Sequence, residues 1–306
     1  MTTFQATPPA TPRVQVSGLI EPAWLQQHLA EVNLFDASFA MPGNGNDMAT
    51  AFRQRHIPQA QFFDLENASD PQTSLPHMLP RLEDFADYMQ SLGFDERKAT
   101  VIYDDGTYAG ATRLWWMLRV FGYDNIALLN GGLPGWEAAQ LPVTAVVSPP
   151  HPGCMTPVFR PELVWTKDHV IANLDHGQAV LLDARAAPRF RGMQDEPRPG
   201  LRRGHIPGAL NLPWSELVDP ASKRFWPVER LRKIFSSADV RPGEPITTTC
   251  GSGVTACVLA FGLFLLGRAD IPVYDGSWAE WGKETSTPVM MGPPQRLHNI
   301  ENIPDL

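Results

Sequence analysis

The sequence predicts an α/β protein made of two similar halves, each a mostly parallel sheet flanked by helices on both faces. Three observations carry this. Segments recur in order: "NLFDAS" (Asn33 to Ser38) returns as "VLLDAR" (Val180 to Arg185), "RHIPQAQFFDL" as "GHIPGALNLPW", and "LLNGGLPGW" as "VYDGSWAEW". The step is nearly constant, 147 residues from Asp36 to Asp183, 149 from His56 to His205 and 145 from Trp136 to Trp281. Ordered matches at one spacing are the mark of an internal repeat. Within each half, short apolar runs alternate with helical patterns, which implies a parallel sheet covered on both sides.

Element by element, "ATVIYD", "AVLLDA", "PITTT" and "DIPVYD" read as buried strands. "PRLEDFADYMQSLG" and "PVERLRKIFSSA" carry the helical spacing of apolar residues. Val254 to Leu266 is apolar for 13 residues, short of the roughly 18 that span a bilayer, and reads as a buried helix. The proline-rich stretch from Leu141 to Pro161 can neither continue a helix nor sit in a central strand, so it reads as a semi-rigid connector. The expected division is 1–142, a linker at 143–160, and 161–306. Trp115 and Trp116 are expected in the core and between the domains. His56 and His205 each precede Ile-Pro in both halves, which suits a structural role.

Composition narrows the function. With 25 Lys and Arg against 33 Asp and Glu, the formal net charge is -8, which argues against a nucleic-acid partner. Three cysteines (Cys154, Cys250, Cys257) make no disulfide framework and no zinc spacing, so a reducing compartment and no metal are expected. The first residues, "MTTFQATPPATPRVQVSG", lack the apolar core of a signal peptide and the arginines of a transit peptide. The expected location is cytoplasmic, without a membrane partner.

Cys250 lies between the strand-like "PITTT" and the apolar run, followed at once by Gly251, Ser252 and Gly253. In such a strand-to-helix turn, glycines let several N–H groups point inward and form an anion nest at a helix N-terminus. A thiolate placed there is stabilised. Cys257 reads as core, and Cys154 as incidental in the linker. Three chemistries compete for the turn. "GSGVTA" fits a dinucleotide-binding fingerprint, with Asp275 as a following acid, but that fingerprint needs no cysteine and the twin turn "YDDGTYAGATRL" lacks it. A cysteine phosphatase needs an arginine six residues after the nucleophile, where Ala256 stands. Sulfur transfer through a persulfide needs the nest and no such arginine.

At these residues the chain resembles the two-domain rhodanese family of sulfurtransferases, from about Val16 to Trp281. "CGSGVTA" is the form that accompanies 3-mercaptopyruvate as donor, whereas thiosulfate-using members carry Arg-Lys after the cysteine; "DARAAPRFRG", "GHIPGALNLP" and "YDGSWAEW" match further landmarks, and "MQDEPRPGLRR" is an insertion of the family type. The resemblance implies a degenerate first domain, in which Asp104 and Asp105 stand where a cysteine would be, and an active second domain. It implies Cys250 as nucleophile and the loop Gly251, Ser252, Gly253, Val254 and Thr255 as its amide cradle. It places the substrate-binding arginines at Arg189 and Arg198, and a proton relay to Ser252 at Asp64 and His77. The implied reaction moves sulfur from 3-mercaptopyruvate to cyanide, a dithiol or a thioredoxin-like protein, releases pyruvate and uses no cofactor. Two guanidiniums suit a carboxylate beside a ketone. Thiosulfate as donor is the near alternative, and a non-catalytic persulfide carrier or interaction module the distant one.

Overall fold

The computed structural model describes residues 14–296 apart from 42, 44 and 46. The amino-terminal stretch considered above for a leader begins outside them, as the last ten residues of the second half end outside them. The first half holds β1 (Gly18–Ile20), β2 (Val32–Asp36), β3 (Gln61–Phe62), β4 (Ala99–Tyr103) and β5 (Ile126–Leu129), in the order β1-β5-β4-β2-β3. The second holds β6 (Val164–Trp165), β7 (Val180–Asp183), β8 (Leu210–Asn211), β9 (Ile246–Thr249) and β10 (Val273–Tyr274), in the order β6-β10-β9-β7-β8. The two orders are the same order shifted by five strands, and every pairing is parallel. The repeat in the sequence is therefore a repeat of topology.

Parallel neighbours need crossovers, and the helical patterns supply them: Leu82–Ser91 precedes β4 and Val228–Ser237 precedes β9. Alternate strand residues face opposite sides. Phe35, Ile102 and Leu128 of the first sheet share one buried cluster with Leu182, Ile246 and Val273 of the second. Their neighbours Leu34, Val101 and Leu129 pack outward in a cluster of the first half, and Leu181 and Tyr274 in one of the second. The two inner sheet faces thus bury against the same core. Helices Ala109–Val120 and Ala256–Leu265 lie in it. Trp115 meets Phe261 and Phe264 edge-on across the halves, and Trp116 donates its indole N–H to the Leu163 carbonyl at 3.1 Å.

The connector lies along the first half. Thr144 pairs with His56, Cys154 with Phe94 and Glu96, and Val158 with Phe121 through backbone hydrogen bonds. The imidazoles of His56 and His205 are fully buried, each stacks on a phenylalanine (Phe52, Phe190), and each bonds that residue's carbonyl through Nδ1. Among the described residues no helix is long and apolar enough to cross a membrane.

Candidate active site

Cys250 follows the last residue of β9, at the carboxyl edge of the sheet where open α/β folds bind ligands. It is 2% exposed. The helix that follows starts at Ala256 rather than Val254. The reason is local. Gly253 takes φ +73°, and Cys257 and Val258 bond back to the carbonyls of Val254 and Thr255, a tight turn that keeps residues 254 and 255 in the loop. Gly253 must be glycine, since a β-carbon there would lie 2.8 Å from the Asp275 carbonyl oxygen.

The cradle differs in one respect from the expected ring of loop amides. Ser277 Oγ accepts from Cys250 N–H at 3.2 Å and from Gly253 N–H at 3.0 Å, and donates to the Tyr274 carbonyl at 2.7 Å. The amide of Gly253 therefore holds the loop's shape and is spent. The N–H groups of Gly251, Ser252, Val254 and Thr255 meet no acceptor among the described residues. Trp278 and Ala279 donate to the carbonyls of Cys250 and Gly251, which occupies those oxygens. Ser277 sits at φ +50°, a conformation that costs a non-glycine residue free energy and that its hydrogen bonds, with a further one from Thr249 Oγ1 at 3.3 Å, maintain.

Both expected arginines reach this loop. A side chain on Gly251 would meet Arg189 Nη2 at 3.2 Å and Arg198 Nη1 at 4.0 Å. Arg189 is oriented by Glu196, whose Oε2 accepts from Nη2 at 2.5 Å. The Glu196 carboxylate is 2% exposed and also takes Arg185 Nη1 at 2.8 Å, while Arg185 is forked onto Asp183 at the end of β7. Arg198 has no hydrogen-bond acceptor among the described residues. Burial pushes its guanidinium below the ordinary arginine value, neighbouring Cys250 and Glu66 oppose that shift, and Arg189 adds to it. Two guanidiniums thus line the cavity beside one recessed thiol, with Glu196 holding the first from behind.

His77 comes from the first half, on a loop between β3 and β4, and is 4% exposed. Its Nδ1 lies 2.9 Å from Ser252 Oγ and its Nε2 lies 2.9 Å from a carboxylate. That carboxylate belongs to Glu66. Asp64, expected as the relay acid, instead accepts from the Glu66 N–H and from Asn67 Nδ2, both at 3.0 Å, and so caps the turn that carries Glu66. The Asp64 carboxylate faces back onto its own turn, two residues before the carboxylate that touches His77. The hydrogen bond from His77 draws the Glu66 carboxyl below its ordinary value. An ionised carboxylate only accepts, so Nε2 carries a proton, and in the neutral imidazole Nδ1 is then the acceptor for the Ser252 hydroxyl. Phe39 stands edge-on to His77 at 5.1 Å. With Met41 it closes the first-domain side of a cavity of about 90 Å³, whose other walls are Arg189, Pro197, Arg198 and the loop Cys250 to Thr255. Its lining joins two cationic side chains to an apolar first-domain wall, which suits a small anionic ligand.

Larger hollows lie elsewhere, including an open one of about 850 Å³ beside helix Val228–Ser237, but none of those described holds Cys250. Cys257 is fully buried, donates toward the Gly253 carbonyl at 3.2 Å, and burial pushes its thiol up to about 12. Cys154 faces Asp95 in the connector. Asp275 is 2.8 Å from Arg113 and buried, so it is taken as an ion-pair partner and is not free for a ribose. In the first half Asp104 follows β4 as Cys250 follows β9, and its own carboxylate accepts the Gly106 N–H at 2.9 Å. The sequence pattern missed Glu66, Glu196, Phe39, Met41 and Ser277. Only Ser277 carried a signal, through its place in the repeated "YDGSWAEW".

The chain is similar to known proteins in sequence and in fold. A family model described as a rhodanese-like domain matches twice, at residues 21–139 and 166–284. The 3-mercaptopyruvate sulfurtransferase of Escherichia coli strain K12 is 42% identical over 269 residues, 87% of this chain and 95% of that protein. That of Rattus norvegicus is 40% identical over 272 residues, 86% of this chain and 91% of that one. A crystal structure of an Escherichia coli 3-mercaptopyruvate sulfotransferase superposes with a TM-score of 0.79 at 39% identity, covering 86% of this chain and 99% of that one. Two matched domains, one topology repeated and one cysteine at the sheet edge agree: the chain belongs to the rhodanese family, with two rhodanese-like domains in tandem.

Proposed function

We propose that this enzyme is a 3-mercaptopyruvate sulfurtransferase working through a persulfide on Cys250. The observation that carries the reading is the convergence of Cys250, Arg189 and Arg198 on one cavity of about 90 Å³. In this reading residues 161–306 form the catalytic domain, 1–142 a degenerate partner that lends His77 and Glu66, and 143–160 the connector. Arg189 and Arg198 hold the carboxylate and ketone of the donor. The Cys250 proton passes through Ser252 to His77 Nδ1, and the imidazolium rests against Glu66. The Cys250 thiolate attacks the donor sulfur. The carbon–sulfur bond breaks, its electron pair forms the enolate of pyruvate beside the arginines, and the stored proton returns to the enolate carbon. Cys250 is left as the persulfide, cradled by the unspent loop amides. A thiol acceptor, a small dithiol or a thioredoxin-like protein, then removes the outer sulfur.

Gly251 and Ser252 add no positive charge beside the thiol, which favours a monocarboxylate donor over the compact thiosulfate dianion. The test is steady-state pyruvate release from 3-mercaptopyruvate against thiosulfate consumption, with mass spectrometry of the Cys250 peptide after donor alone. Pyruvate release with one added sulfur on that peptide supports the proposal. Turnover of thiosulfate alone, or sulfur on Cys154 or Cys257, overturns it.

A further inference from the structure

Arg113 is the fifth residue of helix Ala109–Val120 in the first half, yet its side chain ends in the second. It is fully buried, its Nη2 lies 2.8 Å from Asp275 Oδ1, and its guanidinium covers the Trp116 ring at 4.5 Å. A buried charge of this kind is costly unless paired and hydrogen-bonded, and here Arg113 Nε and Asp275 Oδ1 make no hydrogen bond among the described residues. The other partners are telling. Arg113 Nη2 donates to the carbonyl of His77 and Nη1 to the carbonyl of Gly253 at 3.3 Å, while Asp275 Oδ2 accepts the Leu79 N–H at 2.8 Å. The ion pair therefore grips the backbone on both sides of the Ser252–His77 contact: at residue 253 beside Ser252, and at residues 77 and 79. His77 itself sits at φ +62°, which a β-carbon disfavours, so its loop needs outside restraint to stay there.

We infer that Arg113 and Asp275 are positioning residues for the proton relay, holding His77 Nδ1 on Ser252 Oγ across the two domains. The inference rests on the sulfur-transfer reading above. Neither residue lines the cavity that holds Cys250, so the pair acts on proton return to the enolate and not on donor binding. Discharge of a formed persulfide to cyanide needs no such proton and is independent of the pair.

The experiment compares full-length Asp275→Asn and Arg113→Lys with wild type in two single-turnover measurements: pyruvate release from 3-mercaptopyruvate, and thiocyanate formation by cyanide from protein loaded with inorganic polysulfide. Misplacing a reacting group by about 1 Å costs up to a hundredfold, so pyruvate release at saturating donor should fall roughly tenfold or more. KM for the donor and the cyanide step should stay within about threefold. Arg113→Lys keeps the charge with fewer bonding directions and reads the same split if Asp275→Asn does not accumulate as folded protein. Equal slowing of both steps, a rise in KM alone, or no change overturns the positioning role. Ser252→Ala and His77→Gln separate the two levels. If they slow pyruvate release and Asp275→Asn does not, only the pair's role is lost; if they leave it unchanged, the relay is wrong and the pair's role falls with it.

Discussion

Cys250 and Cys257 stand seven residues apart on the same segment, and the difference between them is electrostatic and steric. Cys250 faces the cavity with Arg198 beside it; Cys257 is fully enclosed, and its raised value keeps it a thiol at any physiological pH. Cys250→Ser should abolish sulfur transfer and Cys257→Ser should keep most of it, measured as pyruvate release; loss of activity in Cys257→Ser with its fold intact would contradict this. The relay acid gives a second contrast. Glu66→Gln leaves the His77 imidazolium without its counter-charge and should lower kcat roughly tenfold, while Asp64→Asn, which touches only the turn, should cost less than about threefold. The reverse order would restore Asp64 to the relay. The sign of the pH dependence follows from the lowered Glu66 value. The stabilising His77–Glu66 bond is complete above about 4.5, the ordinary glutamate value, and is lost as pH falls through the lower folded value. Activity loss in mildly acidic solution therefore has to come from another group.

The two equivalent loops after β4 and β9 show how one element is kept as a site in one copy and closed in the other. In the second copy the loop amides stay open beside Cys250, and Ser277 and Glu196 hold the loop and Arg189 from behind. Glu196→Gln loses a charge-assisted hydrogen bond that orients Arg189, so KM for the donor should rise roughly tenfold. A lower kcat at constant KM would place Glu196 in the chemistry instead. In the first copy the Asp104 carboxylate fills its own loop, and burial, reinforced by Asp105, pushes it up to about 7. A carboxyl raised in the folded state binds its proton more tightly there than in the unfolded chain, so it costs stability progressively as pH rises from about 3.8 to about 7. Asp104→Asn should therefore gain melting temperature relative to wild type on going from pH 5 to pH 8. A difference that does not change with pH would show that Asp104 is not titrating in that window.

On the scale of the whole chain, the tandem α/β organisation was legible because repetition and strand–helix alternation are properties of linear order. The five-strand order within each half, the strands of two or three residues such as β3 and β8, and the Glu66 and Glu196 contacts were not. Strands that short carry no period, and those contacts depend on which way a turn faces. Trp115 and Trp116 were legible as residues of the junction, but not that whole sheet faces of the two halves share one core: an apolar strand face looks the same whether its own helices or another domain cover it. The shared cluster joins residues from Phe35 to Val273, and Trp115 of the first half packs on Phe261 and Phe264 of the second. Arg119, also of the first half, donates to the Ala269 carbonyl at 2.5 Å, and Arg113 reaches Asp275. Two domains joined by a surface contact unfold separately, but two that hold each other's core cannot. Calorimetry should accordingly show one transition for the full chain. Trp115→Ala removes a large side chain from the junction and should cost about 3–5 kcal/mol while keeping unfolding a single event, because both halves lose the same contact. Two resolved transitions in the wild type, or a Trp115→Ala protein in which one half melts early and the other keeps its original temperature, would show that each domain carries its own stability.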